Sequence, residues 1–281
     1  MLRKLIEESR VRTILLEQFS VSDTGLILDL ACYAIVTENN AGQYYLDYAY
    51  HHPLFTENMK VYTDTKVSDF LKSITTEQRM GFLNAWDKKR DHRGKIYISY
   101  DSTNKACQAG DIEMAEFGHE KVKAGKPIVN QAVAYDGTNR EPLFYEAYPG
   151  SIVDIAQLQY MLEKANRAFR TYSEKATENK IFIEFIALIL RNRYYTKLKD
   201  LEAETGRREN YLTVTAAVRE LEKIELIRQM DKVYRIDHAI TRTEKEILKA
   251  FKIDSSYIRR TGKSKSRKPK SVHSRNVMIL R

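Results

Sequence analysis

The stretch KIYISYDSTN, residues 95–104, puts a carboxylate where it could do chemistry. Five residues suited to a β-strand, IYISY, run straight into Asp101, with Ser102, Thr103 and Asn104 behind it. A carboxylate at the C-terminal end of a buried strand is costly unless something binds it. A metal ion, a hydrogen-bonded cap and a turn each answer that need, and Asp-Ser-Thr-Asn is good turn chemistry. Further acids are Asp111, Glu113 and Glu116 in the polar stretch that follows, Glu146 late in a later strand, and Asp154 at a helix start. His119 has no second His or Cys beside it and reads as a loop residue. Cys32 and Cys107 stand without partners at ligand spacing, so the sequence supports neither a disulfide framework nor a zinc site.

The second chemical signal is charge. Residues 259–281 hold nine Lys and Arg and no Asp or Glu, which leaves the rest of the chain neutral at 38 basic against 38 acidic residues. Arg259, Arg260, Lys263, Lys265, Arg267, Lys268 and Lys270 are therefore the candidate DNA-phosphate contacts, giving salt-sensitive binding without sequence preference. A solvated extension with no dedicated partner is the competing reading. Trp86 and the Tyr-rich segment 43–50 could stack on bases, or could be packing aromatics.

The elements that must position these groups change character along the chain. Apolar residues at helical spacing over 2–19, and an almost wholly apolar run after Ser22 and Asp23, predict two helices, the second buried and capped by that pair. Residues 40–63 read as irregular. Helices follow over 68–74, capped by Ser68, and over 76–89, opened by a Thr75–Gln78 capping box. Residues 95–100 predict a strand, 105–126 a loop, and 127–135 with 141–148 a hairpin around Asp136-Gly137. An amphipathic helix is expected over 154–165, a polar stretch to 180, an apolar helix over 181–194 and a separate charged helix ended by Gly206. A helix at 212–224 and a hairpin at 225–237 resemble a winged helix in outline, although that helix is net acidic. A last helix at 241–251 opens with a Thr241–Glu244 capping box.

These readings give a mixed α+β or α/β fold. It comprises a helical N-terminal domain (1–92), a three-stranded sheet with a helix (93–195), a helical C-terminal subdomain (196–255) and a basic disordered tail (256–281). With 281 residues, 43% of them hydrophobic and 30% charged, the chain has an ordinary globular balance. The apolar run 181–190 is half the length that spans a bilayer and contains Glu184, and no signal-peptide pattern opens the chain, so a cytoplasmic protein is expected.

The segments IYISYDSTN, EFGHEKVKAGKPIVNQAVAYDGTNREPLFYEAYPGSIVD and KIFIEFIALILRNRYYTKL resemble the catalytic domain of bacterial insertion-sequence DDE transposases. The likeness is to the group with a Tyr-Arg-Glu-Lys signature. Strand, Asp, Gly-His, hairpin and Tyr-Pro-Gly occur in the family's order. The resemblance covers about two-thirds of the chain and is weaker over the N-terminal helices. It implies an RNase H-like fold, a mixed sheet flanked by helices. It also implies cleavage and transfer of DNA strands by two Mg²⁺ ions roughly 3.5–4 Å apart, held by three carboxylates. Asp101 would be the first of these, both catalytic residue and metal ligand.

The second Asp, at the end of a fourth strand, and the Glu of Tyr-x2-Arg-x3-Glu-x6-Lys have no match in this sequence. The resemblance therefore implies an internal deletion near 165–166, an inactive copy, and Mg²⁺ no longer functionally bound. Implied partners are DNA at the element's terminal inverted repeats, and further copies of the chain or a full-length transposase. No membrane is implied, and the location would be the bacterial cytoplasm, on the nucleoid when DNA-bound. A non-catalytic DNA-binding regulator of a full-length relative, or an unrelated structural or interaction module, are the alternatives. With the fourth strand missing, part of the apolar helix at 181–190 is expected to lie exposed and to promote self-association.

Overall fold

The structure, a computed structural model, describes residues 1–89, 97–106, 114–118, 125–151, 175–206, 213–228, 234–236, 239–254 and 258. Six helices come first: α1 (Leu2–Glu8), α2 (Val11–Leu15), α3 (Val21–Thr37), α4 (Tyr45–His51), α5 (Asp64–Ser73) and α6 (Thr76–Lys89). An antiparallel sheet follows in the order β1 (Ile98–Ala106), β2 (Ile128–Asp136), β3 (Glu141–Pro149). Then come α7 (Lys175–Thr205), α8 (Val214–Glu222), a small hairpin of β4 (Leu226–Arg228) and β5 (Tyr234–Ile236), and α9 (Arg242–Ala250). The fold is mixed α+β and mostly helical. The helix expected over 154–165 lies outside the described residues.

Helix starts are set by side chains that accept orphan backbone N–H groups. Thr75 and Gln78 form the expected capping box, the Gln78 N–H donating to Thr75 Oγ1 at 3.2 Å and the Thr75 N–H to Gln78 Oε1 at 2.9 Å. Thr241 and Glu244 form the other one. Two caps differ from expectation. Ser20, with extended backbone, caps α3 in place of Ser22 and Asp23, its Oγ accepting from the Asp23 N–H at 3.1 Å. Thr63 caps α5, which begins four residues ahead of Ser68. Nor is 40–63 wholly irregular, since Tyr45 and Tyr48 bury their rings against Tyr33 and fold α4 around that contact.

Gly25 and Asp29, one turn apart on α3, hold the 55–56 loop. A Cβ at Gly25 would lie 2.9 Å from Thr56 Cα and 3.0 Å from Phe55 O, so only glycine lets the loop approach. Asp29, 1% exposed, accepts the N–H groups of Phe55 (2.6 Å) and Thr56 (3.1 Å) through its two oxygens. Gly25→Ala should cost about 1–3 kcal/mol by overpacking, read as a lower urea midpoint at unchanged slope.

Burial pushes the Asp29 carboxyl up to about 6, against the pull of its two backbone hydrogen bonds. Between the unfolded carboxyl's pKa and that value the folded chain binds the extra proton. Its contribution is therefore complete below about pH 4 and is lost as pH rises towards 6, up to about 3 kcal/mol in all. Subtracting the stability–pH curve of Asp29→Asn from that of the parent chain should leave this falling step.

The largest departure from the sequence reading is α7. One helix of 31 residues replaces an apolar helix and a separate charged one. The shift from all-round to one-sided apolarity near residue 191 contains no Gly or Pro, so nothing stops the backbone until Gly206. That residue takes φ +63° and donates its N–H to Glu202 O at 3.0 Å. Nor is the apolar segment exposed: Ile181, Phe182, Phe185, Ile186, Ile189 and Leu190 are each at most 4% accessible. Helices α1, α3, α5 and α9 and strand β3 all pack on α7, and these neighbours cover the apolar surface that was expected to lie exposed. One buried cluster runs from Leu5 through α7 to Phe251. Among the described residues no helix is long and apolar enough to cross a membrane.

Candidate functional site

Asp101 lies in the middle of a strand, not at its end. β1 continues to Ala106 because its backbone stays in register with β2, Asp101 opposite Val133, Asn104 opposite Asn130, Ala106 opposite Ile128. Side-chain polarity does not end a strand whose neighbour offers a full hydrogen-bonding ladder. β1 is an edge strand: among the described residues it pairs with β2 alone. The Asp101 side chain is exposed.

The pleat decides which groups can join it, since residues two apart share a face. Asp101 shares its face with Val133 and Tyr145, which are opposite each other on β2 and β3. Tyr145 packs on Phe185 of α7, ring centroids 4.9 Å apart. Lys105, on the same face, is ion-paired to Glu184 of α7, whose carboxylate also accepts from Asn40 Nδ2. Burial and the nearby Lys180 ammonium push Lys105 down to about 8.

The other described acids point elsewhere. Glu146 stands opposite Ala132, itself opposite Ser102, so the alternation sends it to the far face of the sheet. Glu116 bridges to Ile128 at the other end of β2, about 16 Å along the strands from Asp101, and accepts from the Ser151 hydroxyl. Asp111, Glu113, Asp154 and His119 lie outside the described residues, as do Arg259, Arg260, Lys263, Lys265, Arg267, Lys268 and Lys270. Among the described residues no three His, Cys, Asp or Glu gather closely enough to hold a metal ion. One exposed carboxylate does not fit a pair of Mg²⁺ ions, which need several oxygen ligands converging on each.

A connection that residue-by-residue reading missed is Asn130. It is 2% exposed and joins the DSTN and Tyr-Pro-Gly motifs. Asn104 Nδ2 donates to Asn130 Oδ1 at 2.6 Å, and Asn130 Nδ2 donates to Pro149 O at 3.2 Å and Gly150 O at 3.4 Å. Gly150 is required at that crossing, because a Cβ there would fall 2.4 Å from both Glu116 O and Ile128 O. Two adjacent polar residues, Asn130 and Gln131, inside an otherwise largely apolar strand (PIVNQAVAY) were the available signal. The hairpin turn is clamped too: Asp136 Oδ1 accepts the N–H groups of Thr138 and Asn139 at 2.9 and 3.1 Å, and Asn192 of α7 reaches Arg140 O and Tyr135 Oη.

The aromatic candidates for base stacking divide by burial. Trp86 is 1% exposed and its indole N–H donates to Pro142 O at 3.0 Å, fixing α6 to β3. Tyr45 and Tyr48 are buried as well, so these three rings are packing groups. Tyr44 and Tyr50 are exposed. The winged-helix outline has its helix and hairpin, but α8 buries Val214, Ala217 and Val218, and its Thr215 hydroxyl donates to Glu38 at 2.5 Å at the end of α3.

No protein-family model, characterised protein or solved structure matches the chain.

Proposed function

We propose that the chain is a catalytically silent remnant of an insertion-sequence DDE transposase that keeps DNA affinity through its basic segment. The observation that carries this reading is Asp101: an exposed carboxylate on the strand that forms the edge of the three-stranded antiparallel sheet among the described residues, in the strand whose Asn104 is tied through Asn130 to the Tyr-Pro-Gly turn. The order of these parts is the family's, and the β1 edge, open among the described residues, is where a further strand of an RNase H-like sheet would add. Of the other candidate acids that are described, Glu146 sits on the opposite face of the sheet and Glu116 at its opposite end. Phosphodiester transfer needs its metal ligands together, so no cleavage step is assigned to Asp101 here.

Two measurements on the full chain test this. With supercoiled plasmid and Mg²⁺, nicking should not exceed that of Asp101→Ala; nicking that this variant abolishes would overturn the reading of silence. DNA binding, followed by fluorescence anisotropy, should weaken steeply with salt. If all seven basic residues named above meet phosphates, log K should fall with log salt at a slope of about −6. Replacing the seven by Gln should remove most of that slope. An unchanged affinity would transfer the DNA contact to another surface, and no affinity in the parent chain would reject DNA binding.

A further inference from the structure

Two cavities between the C-terminal helices and the body differ in chemistry. One of about 690 Å³ beside α7 and α9 is lined by charged groups, among them Lys197, Asp200, Glu204, Lys245 and Lys249. The other, of about 280 Å³, lies between α3, the end of α4, α8 and α9. Its walls are apolar, with Val36, Phe55, Leu221, Ile224, Leu248 and Ile253, and the buried thiol of Cys32 borders it. Its volume is below the ~300–1,000 Å³ typical of sites for drug-sized ligands and suits a few aliphatic side chains.

The chain supplies such side chains close by. Ile258 lines this cavity, so the segment after it starts at the cavity itself. Residues 259–276 are polar and basic apart from Gly262, Pro269 and Val272, and then Val277, Met278, Ile279 and Leu280 form an unbroken apolar run. Eighteen residues separate Ile258 from Val277; a coil of that length spans roughly 20–25 Å root-mean-square, so covalent linkage alone would keep the run near the cavity at about millimolar effective concentration. Arg275 and Arg281 flank the run, and Glu222 sits on the cavity wall, 3.8 Å from His52 Nε2 and partly open to solvent. Arg3, also on the wall, is already engaged, stacked over Phe55 and donating to Leu54 O.

We propose that residues 277–280 dock in this apolar cavity, closing residues 259–276 into a basic loop tethered at both ends. The charged cavity offers no comparable burial for four consecutive aliphatic residues.

Cys32 makes the contact measurable. In a Cys107→Ser background, Ile279→Cys gives the full chain two thiols, and mild copper-catalysed oxidation should join position 279 to Cys32 within one molecule. Mass spectrometry of the digested monomer identifies the linkage. The same background with Ser271→Cys is the control; because both reactions use the same buried Cys32, its reactivity cancels in the ratio. Linkage at 279 should be at least tenfold faster than at 271, and an excess of a peptide of residues 276–281 should slow it. Equal rates at the two positions, linkage only between molecules, or insensitivity to the peptide would each overturn the proposal.

Discussion

Arg79→Ala should lower the folding stability of this chain by about 3–5 kcal/mol, read as a large drop in urea midpoint. Arg79 of α6 and Glu178 in the first turn of α7 form an ion pair whose side chains are only 7% and 8% exposed. Arg79 Nη2 also donates to Thr76 Oγ1 at 3.2 Å. Truncating the guanidinium leaves the Glu178 carboxylate buried without its counter-charge, and that residual charge is the costly product, more than the pair itself is worth. The double variant Arg79→Met, Glu178→Met removes both charges and keeps comparable volume, so it should recover most of the loss. A single-variant loss below about 1 kcal/mol would show that solvent reaches the pair.

The contrast between what the sequence made visible and what it concealed follows interaction range. The Thr75–Gln78 and Thr241–Glu244 boxes, the hairpin after Asp136 and the stop at Gly206 all depend on groups a few residues apart, and each is present. Where several caps compete locally the outcome is less determined: Ser20, Ser22 and Asp23 all precede the same apolar run, and the residue with extended backbone took the role. The surroundings of α7 were not legible, because its apolar faces are covered by elements drawn from both ends of the chain. Asp101 stood out by its residue type and its neighbours. Its exposure and mid-strand position did not, since a strand's length depends on its partner: β2 presents nine residues in register, and β1 follows them through Ser102, Thr103 and Asn104. Arg79 carries the same lesson, a charged residue on a polar-looking helix that only the fold turns inward.

Phe182→Ala tests whether α7 is the centre of the core, and its expected cost is about 3–5 kcal/mol. The ring is fully buried; it stacks on Phe19 with centroids 6.0 Å apart at 26° and meets Phe82 edge-on at 5.4 Å and 78°. Those neighbours belong to the α2–α3 connection and to α6, so one truncation opens a cavity at a junction of three parts of the chain. Phe182→Leu keeps most of the volume and should cost less than half as much, because aromatic pairing adds only about 0.5–1.5 kcal/mol beyond burial. Trp86 lies one turn beyond Phe82 on α6 and is bonded to β3, so its fluorescence reports that junction, whereas far-UV circular dichroism reports the helices as a whole. If the cluster from Leu5 to Phe251 unfolds as one unit, both signals should shift by the same amount in Phe182→Ala. Separate transitions, with the tryptophan signal moving alone, would mean that the sheet and α6 come away before the helices that surround α7.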